Sequence, residues 1–140
     1  MSHEIVVLDV DGCLTIKKGV PLPLRELYAL QKAKASVPFA LCTGRSQPYA
    51  EAIIHILGPN AFLRPSIVEN GCFLYDPRKE TLLPHPLIKG LGESFREIRR
   101  FLEVRCPKAP IEPGKELCIS IHLMEGECIE ELFQKVQDLL

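Results

Sequence analysis

Asp9 and Asp11 stand one residue apart directly after the apolar run Ile5-Val6-Val7-Leu8, within the stretch Asp9-Val10-Asp11-Gly12-Cys13-Leu14-Thr15. Side chains two apart on an extended chain point to the same side, so both carboxylates are expected to share one face where a strand ends. Two like charges that close need a cation, a shared proton or open water. Gly12 lets the backbone turn away at positive φ just past them. A solvated turn, a calcium loop and a reactive site at a sheet rim all fit a bare Asp-x-Asp-Gly. A calcium loop of the EF-hand kind needs further oxygen ligands and a later Glu, which Ile16-Lys17-Lys18 does not begin to supply. An apolar run without alternation marks a strand central to a parallel sheet, and ligands of such sheets sit beyond the strands' carboxyl ends.

The elements that must position these residues follow in βαβαβ order. Pro21-Leu22-Pro23 starts a helix over 24–33 with Leu24, Leu27, Tyr28 and Leu30 as its stripe. Val37 to Cys42 is a second apolar run, closed by Thr43-Gly44-Arg45-Ser46. Ser46 reads as the N-cap of a second helix, with Ala50, Ile53, Ile54 and Leu57 as its apolar face and Gly58-Pro59 as its end. Ser66-Ile67-Val68-Glu69 is a third strand, stopped by Asn70-Gly71. Such a unit is expected to be right-handed and parallel, an α/β Rossmann-like sheet of three core strands with crossover helices. Thr43 and Arg45 then lie at the carboxyl end of the second strand, where a hydroxyl, nearby amides and a guanidinium fork suit phosphate.

These residues together resemble the haloacid dehalogenase-like (HAD) superfamily of phosphatases. Residues 9–15 match its first motif and Thr43-Gly44-Arg45 its second. Ser66 to Gly71, followed by Phe73-Leu74-Tyr75-Asp76, is similar to the large-cap branch acting on sugar phosphates and related metabolites, such as mannosyl-3-phosphoglycerate and sucrose phosphatases. The resemblance spans about residues 4–76. It implies a nucleophilic role for Asp9, an acid and base role for Asp11, and Mg2+ held by the Asp9 carboxylate and the Asp11 carbonyl. It places Thr43, Gly44, Arg45 and Asn70 around the phosphate or its organic group, on a small phosphorylated metabolite.

The same resemblance calls for a later Lys or Arg and an acidic Gly-Asp-x-x-Asn-Asp motif, and nothing from 77 to 140 reads that way. This chain is therefore expected to hold half an active site, to bind magnesium weakly and to turn over little by itself. The expected alternatives are a non-catalytic phosphate- or metal-binding or assembly module, or a fragment completed by another polypeptide. Without the strands that carry the later motifs, the first strand becomes an apolar edge, and a second copy of the chain is the expected cover.

Residues 1–76 are expected to form the incomplete core and residues 77–140 a partial cap. The second part opens on a return strand, Glu80–Leu83, expected to pair with Cys72–Tyr75 as a hairpin, and continues as a helix over 93–104. A strand over 117–123 and a last helix striped by Ile129, Leu132, Phe133, Val136 and Leu140 complete it. At 140 residues and 46% hydrophobic content, one compact domain is amply supplied. A net charge of −1 gives no nucleic-acid footprint, and Arg96-Arg99-Arg100 reads as a solvated helix face. The sequence holds no bilayer-length apolar stretch and no signal peptide, which points to the cytoplasm. The six cysteines show no Cys-x-x-Cys spacing and read as reduced.

Overall fold

A computed structural model describes residues 5–17, 19–123, 126 and 128–138. The chain divides into two compact units, Met1–Ile88 and Lys89–Leu140, so the hairpin lies in the first unit.

In the first unit β1 (Val6–Leu8) runs parallel to β2 (Phe39–Leu41), pairing Val6 with Phe39 and Leu8 with Leu41. Between them lies α1 (Leu24–Ala33), and α2 (Gln47–Leu57) leads from β2 to β3 (Ser66–Val68). β3 meets β2 through one parallel bridge, Cys42 with Ile67. The Ser66 hydroxyl accepts the Leu41 N–H at 2.9 Å, and Thr43 N–H donates to the Ile67 carbonyl at 3.0 Å. β3 then pairs antiparallel with β4 (Phe73–Asp76), and β4 with β5 (Thr81–Pro84). The spatial order is β1-β2-β3-β4-β5, an α/β sheet whose parallel part carries the crossover helices.

All three residues of β2 are buried, which makes it the centre of the unit. Phe39 packs edge to face on Phe62 with ring centroids 6.0 Å apart, and Leu41, Ile54, Leu57 and Val68 fill the space around them. The 4-then-3 spacing of Ala50, Ile54 and Leu57 turns one stripe of α2 onto the sheet. Its last carbonyls are met from α1, where Gln31 and Lys34 both donate to the Leu57 carbonyl.

Two expectations change here. Leu24 and Tyr28 of the α1 stripe face solvent, leaving Leu27 and Leu30 half-buried. Ser46 occupies the N-cap of α2 but makes no side-chain cap bond, because Pro48 in the first turn lacks one of the N–H donors a cap would serve. β1 is the apolar edge strand expected of this chain, half-buried with Val7 58% exposed.

The second unit holds α3 (Gly92–Arg105) and α4 (Ile129–Gln137); Leu140 of the predicted stripe lies outside the described residues. The strand expected over 117–123 narrows to one antiparallel bridge between Ile111 and Ile121. Pro110 and Pro113 remove N–H donors from the facing segment, so a ladder cannot lengthen there. Side chains do the cross-linking instead. Lys115 Nζ donates to Ser120 Oγ at 2.6 Å and pairs with Glu112 at 3.3 Å, while Arg99 donates to the Glu112 and Lys115 carbonyls.

Candidate active site

The motif loop leaves β1 and folds on itself at once. Thr15 N–H donates to the Val10 carbonyl at 2.9 Å, Gly12 N–H to the Thr15 carbonyl at 2.8 Å, and the Thr15 hydroxyl to the Val10 carbonyl at 3.2 Å. Gly12 sits at φ 85°, a left-handed conformation that a side chain would oppose. Val10 is fully buried, whereas Asp9 is exposed and Asp11 partly so. Burial thus anchors the loop through its middle residue and leaves the flanking carboxylates at the surface.

The two carboxylates differ in their partners. One oxygen of Asp9 accepts the Val10 N–H at 2.7 Å. Asp11 is gripped by both arms of the Arg45 fork, Nε to Oδ2 at 2.6 Å and Nη2 to Oδ1 at 2.7 Å. The Arg45 side chain is 11% exposed and the Asp11 side chain 30%. A bidentate guanidinium–carboxylate pair fixes orientation as well as charge. The guanidinium also lies 4.5 Å from the centroid of the Tyr49 ring.

Thr43 is buried beside this pair, and its hydroxyl accepts the Arg45 N–H at 3.2 Å. Its carbonyl accepts the Asn70 N–H, and the Arg45 carbonyl accepts the Glu69 N–H at 2.9 Å. The turn after β2 is therefore stitched to the turn after β3. That second turn holds Glu69 at φ 51°, Asn70 at φ 56° and Gly71 at φ 93°. Left-handed backbone at two successive non-glycine residues costs of the order of 1–3 kcal/mol each and gathers at functional sites. A Cβ at Gly44 would meet the Asn70 side-chain oxygen, so a larger residue there would displace the exposed Asn70 side chain from the turn.

The structure brings Asp11 to Arg45, Thr43 and Gly44 to Asn70, and the Arg45 carbonyl to Glu69. Sequence reasoning missed two contributors. Tyr49 is signalled only by its place four residues after Arg45, one helical turn on. Glu69 was read as a strand end, yet it is 1% exposed. A third network braces α2 from below: the Tyr75 hydroxyl donates to Glu51 at 2.8 Å, and Gln47 donates to the other Glu51 oxygen at 2.9 Å. Burial, and then the Glu51 carboxylate, push the Tyr75 phenol up to about 12.

For a divalent cation the donors at hand are the Asp9 carboxylate and the Asp11 main-chain carbonyl, both hard oxygens of the kind magnesium takes. Among the described residues no group of three His, Cys, Asp or Glu side chains gathers for a metal. The set fits magnesium in kind and supplies part of its usual octahedron of oxygens, which water commonly completes.

Residues 6–103 match the family described as haloacid dehalogenase-like hydrolase, and the chain belongs to that family. It is 33% identical over 110 residues to a phosphoglycolate phosphatase of Methanopyrus kandleri, a match covering 76% of this chain and 45% of that protein. It is also 33% identical over 99 residues to the pyridoxal phosphate phosphatase YbhA of Escherichia coli, covering 65% of this chain and 34% of that one. The chain thus spans less than half the length of these curated relatives. Among solved structures, a trehalose-6-phosphate phosphatase related protein superposes with a TM-score of 0.69 at 17% identity, over 97% of this chain and 59% of that one. At that identity the likeness is one of fold. No helix among the described residues is long and apolar enough to cross a membrane.

Proposed function

We propose that this chain carries the nucleophile half of a magnesium-dependent phosphomonoesterase acting on a small phosphorylated metabolite. The observation that carries the reading is the unequal pair at the end of β1, one carboxylate exposed and its neighbour clamped. Asp9 attacks phosphorus and forms an aspartyl-phosphate as the P–O bond of the ester breaks, the leaving oxygen taking its proton from water. Asp11, held as a carboxylate by the Arg45 fork, then draws a proton from water as that water displaces Asp9 from phosphorus. The Thr43 hydroxyl, the Gly44 amide and Asn70 hold the phosphoryl oxygens. Asp9 and the Asp11 carbonyl would hold magnesium, which would supply positive charge against the repulsion between an anionic nucleophile and phosphate. The family membership and the two phosphatase relatives support this reading.

Phosphoryl transfer depends chiefly on positioning and charge stabilisation, so the half-site is expected to be slow by itself. The test is phosphate release from an aryl phosphate by the protein with magnesium. Asp9→Asn abolishes that release while leaving the unfolding midpoint nearly unchanged; turnover that survives the substitution removes Asp9 from the role. The same reading takes a second copy of the chain as cover for the outer edge of β1. Sedimentation at micromolar concentration then gives a dimer, and a monomer contradicts it.

A further inference from the structure

Arg45 resembles a phosphate ligand by its motif, yet its geometry serves something else. The edge that would fork an anion, Nε with Nη2, is spent on the two oxygens of Asp11. Little of the side chain faces solvent, where a ligand arrives. The guanidinium lies over Tyr49, one turn into α2, and that ring also lines an apolar hollow of about 210 Å³ with Val10, Leu14, Ile53 and Ile56. Asp11, Arg45 and Tyr49 therefore form one stack from the end of β1 to the first turn of α2.

We propose that Arg45 is a positioning residue for Asp11, backed by Tyr49, and not a ligand of the phosphate. The stack fixes the direction of the Asp11 carboxylate before any substrate binds. This leans on the phosphatase reading for its purpose, and on contacts alone for its geometry. Preorganisation of this kind matters because a proton-transferring group must lie within hydrogen-bond reach of the atom it serves. A carboxylate on a tight loop, left to water, would rotate freely. An aromatic face under a partly desolvated guanidinium is worth about 1–2 kcal/mol, or roughly a tenfold change in how often the fork opens.

The experiment uses the full chain labelled with nitrogen-15, and reads the Arg45 Nε–H resonance and its hydrogen exchange. In the unliganded protein that proton is slow to exchange, and it stays in place when magnesium and inorganic phosphate are added to saturation. Tyr49→Leu speeds its exchange about tenfold while the β2 amides keep their protection, and Tyr49→Phe restores the slow rate. Asp11→Asn, which loses one charged acceptor, releases the same proton and serves as a second route if Tyr49→Leu folds poorly. A phosphate titration that moves the Nε–H signal off Asp11 overturns the proposal. So does an exchange rate indifferent to both Tyr49→Leu and Asp11→Asn. Should phosphate leave the Thr43 and Gly44 amides unmoved as well, the phosphatase reading falls, and the stack stands or falls by the exchange rates.

Discussion

Each unit of this chain contains an ion pair drawn partly out of solvent, and the two do opposite work. Asp11–Arg45 sits at the carboxyl ends of β1 and β2, with the Asp11 side chain still 30% exposed and an exposed carboxylate two residues away. Glu112–Lys115 sits inside the second unit, the Lys side chain 4% exposed and the Glu side chain 13%. The first pair fixes the direction of a group that solvent and ligand can reach. The second replaces missing ladder bonds, tying a proline-broken segment to itself through Ser120 and Arg99. Charge placed at a rim sets geometry for chemistry; charge placed inside takes over from secondary structure.

The widest separation between the two comes from removing one partner of each. Lys115→Met takes the buried ammonium away from the largely enclosed Glu112 and costs about 3–5 kcal/mol of the second unit's stability. Converting Glu112 to Leu as well restores much of that loss, because no unpaired charge remains inside. Urea unfolding followed through the α3 amides measures both. Arg45→Met in the first unit costs only about 1 kcal/mol, since water reaches Asp11 and solvates it. Equal losses from the two substitutions would erase the distinction.

A smaller effect sharpens the description of the first unit. Tyr75→Phe removes one hydrogen bond to Glu51, which keeps its bond from Gln47, so about 0.5–1.5 kcal/mol is lost. The pH dependence has a definite sign. The folded phenol titrates at about 12, above its ordinary value of 10.0, so the folded state holds the proton more tightly. Its stabilising share is complete below pH 10 and is lost as pH rises toward 12. Stability measured from pH 9 to pH 12 falls more steeply in the parent than in Tyr75→Phe.

The parallel part of the fold was legible because its signals are local. Apolar runs ended by Asp-x-Asp-Gly, Thr-Gly-Arg and Asn-Gly mark β1, β2 and β3, and the hairpin follows from two runs across Asp76 to Lys79. The grouping of Thr43, Gly44 and Asn70 follows from strand order, since neighbouring parallel strands bring their carboxyl ends together. What stayed hidden depends on side-chain choices between elements. Nothing in Arg45 itself says whether its fork faces a ligand or Asp11; that depends on where the tight turn after Val10 aims the carboxylate. The burial of Glu69 was hidden for a similar reason, because a left-handed φ turns its side chain away from where a continuing strand would place it. The strand expected over 117–123 has the right alternation but faces prolines, and pairing needs two partners.

The smallest effect concerns backbone strain, which the site shares with a plain turn. Glu80, in the loop between β4 and β5, sits at φ 52°, almost the same conformation as Glu69 at φ 51°. Glu80 is exposed, and the loop around it is held by Asp76, whose carboxylate accepts the Arg78 N–H at 3.0 Å. Strain at an exposed side chain can be relieved without emptying a buried position. Glu80→Asn, which tolerates the left-handed region, raises stability by about 0.5 kcal/mol. Glu80→Gly gains somewhat less, because glycine also frees the unfolded chain. At Glu69 the same change to Gly lowers stability, because it empties a fully buried side-chain position while relieving a similar strain. Two identical φ angles with opposite responses mark strain that the site depends on, and like responses would show Glu69 to be as dispensable as a turn residue.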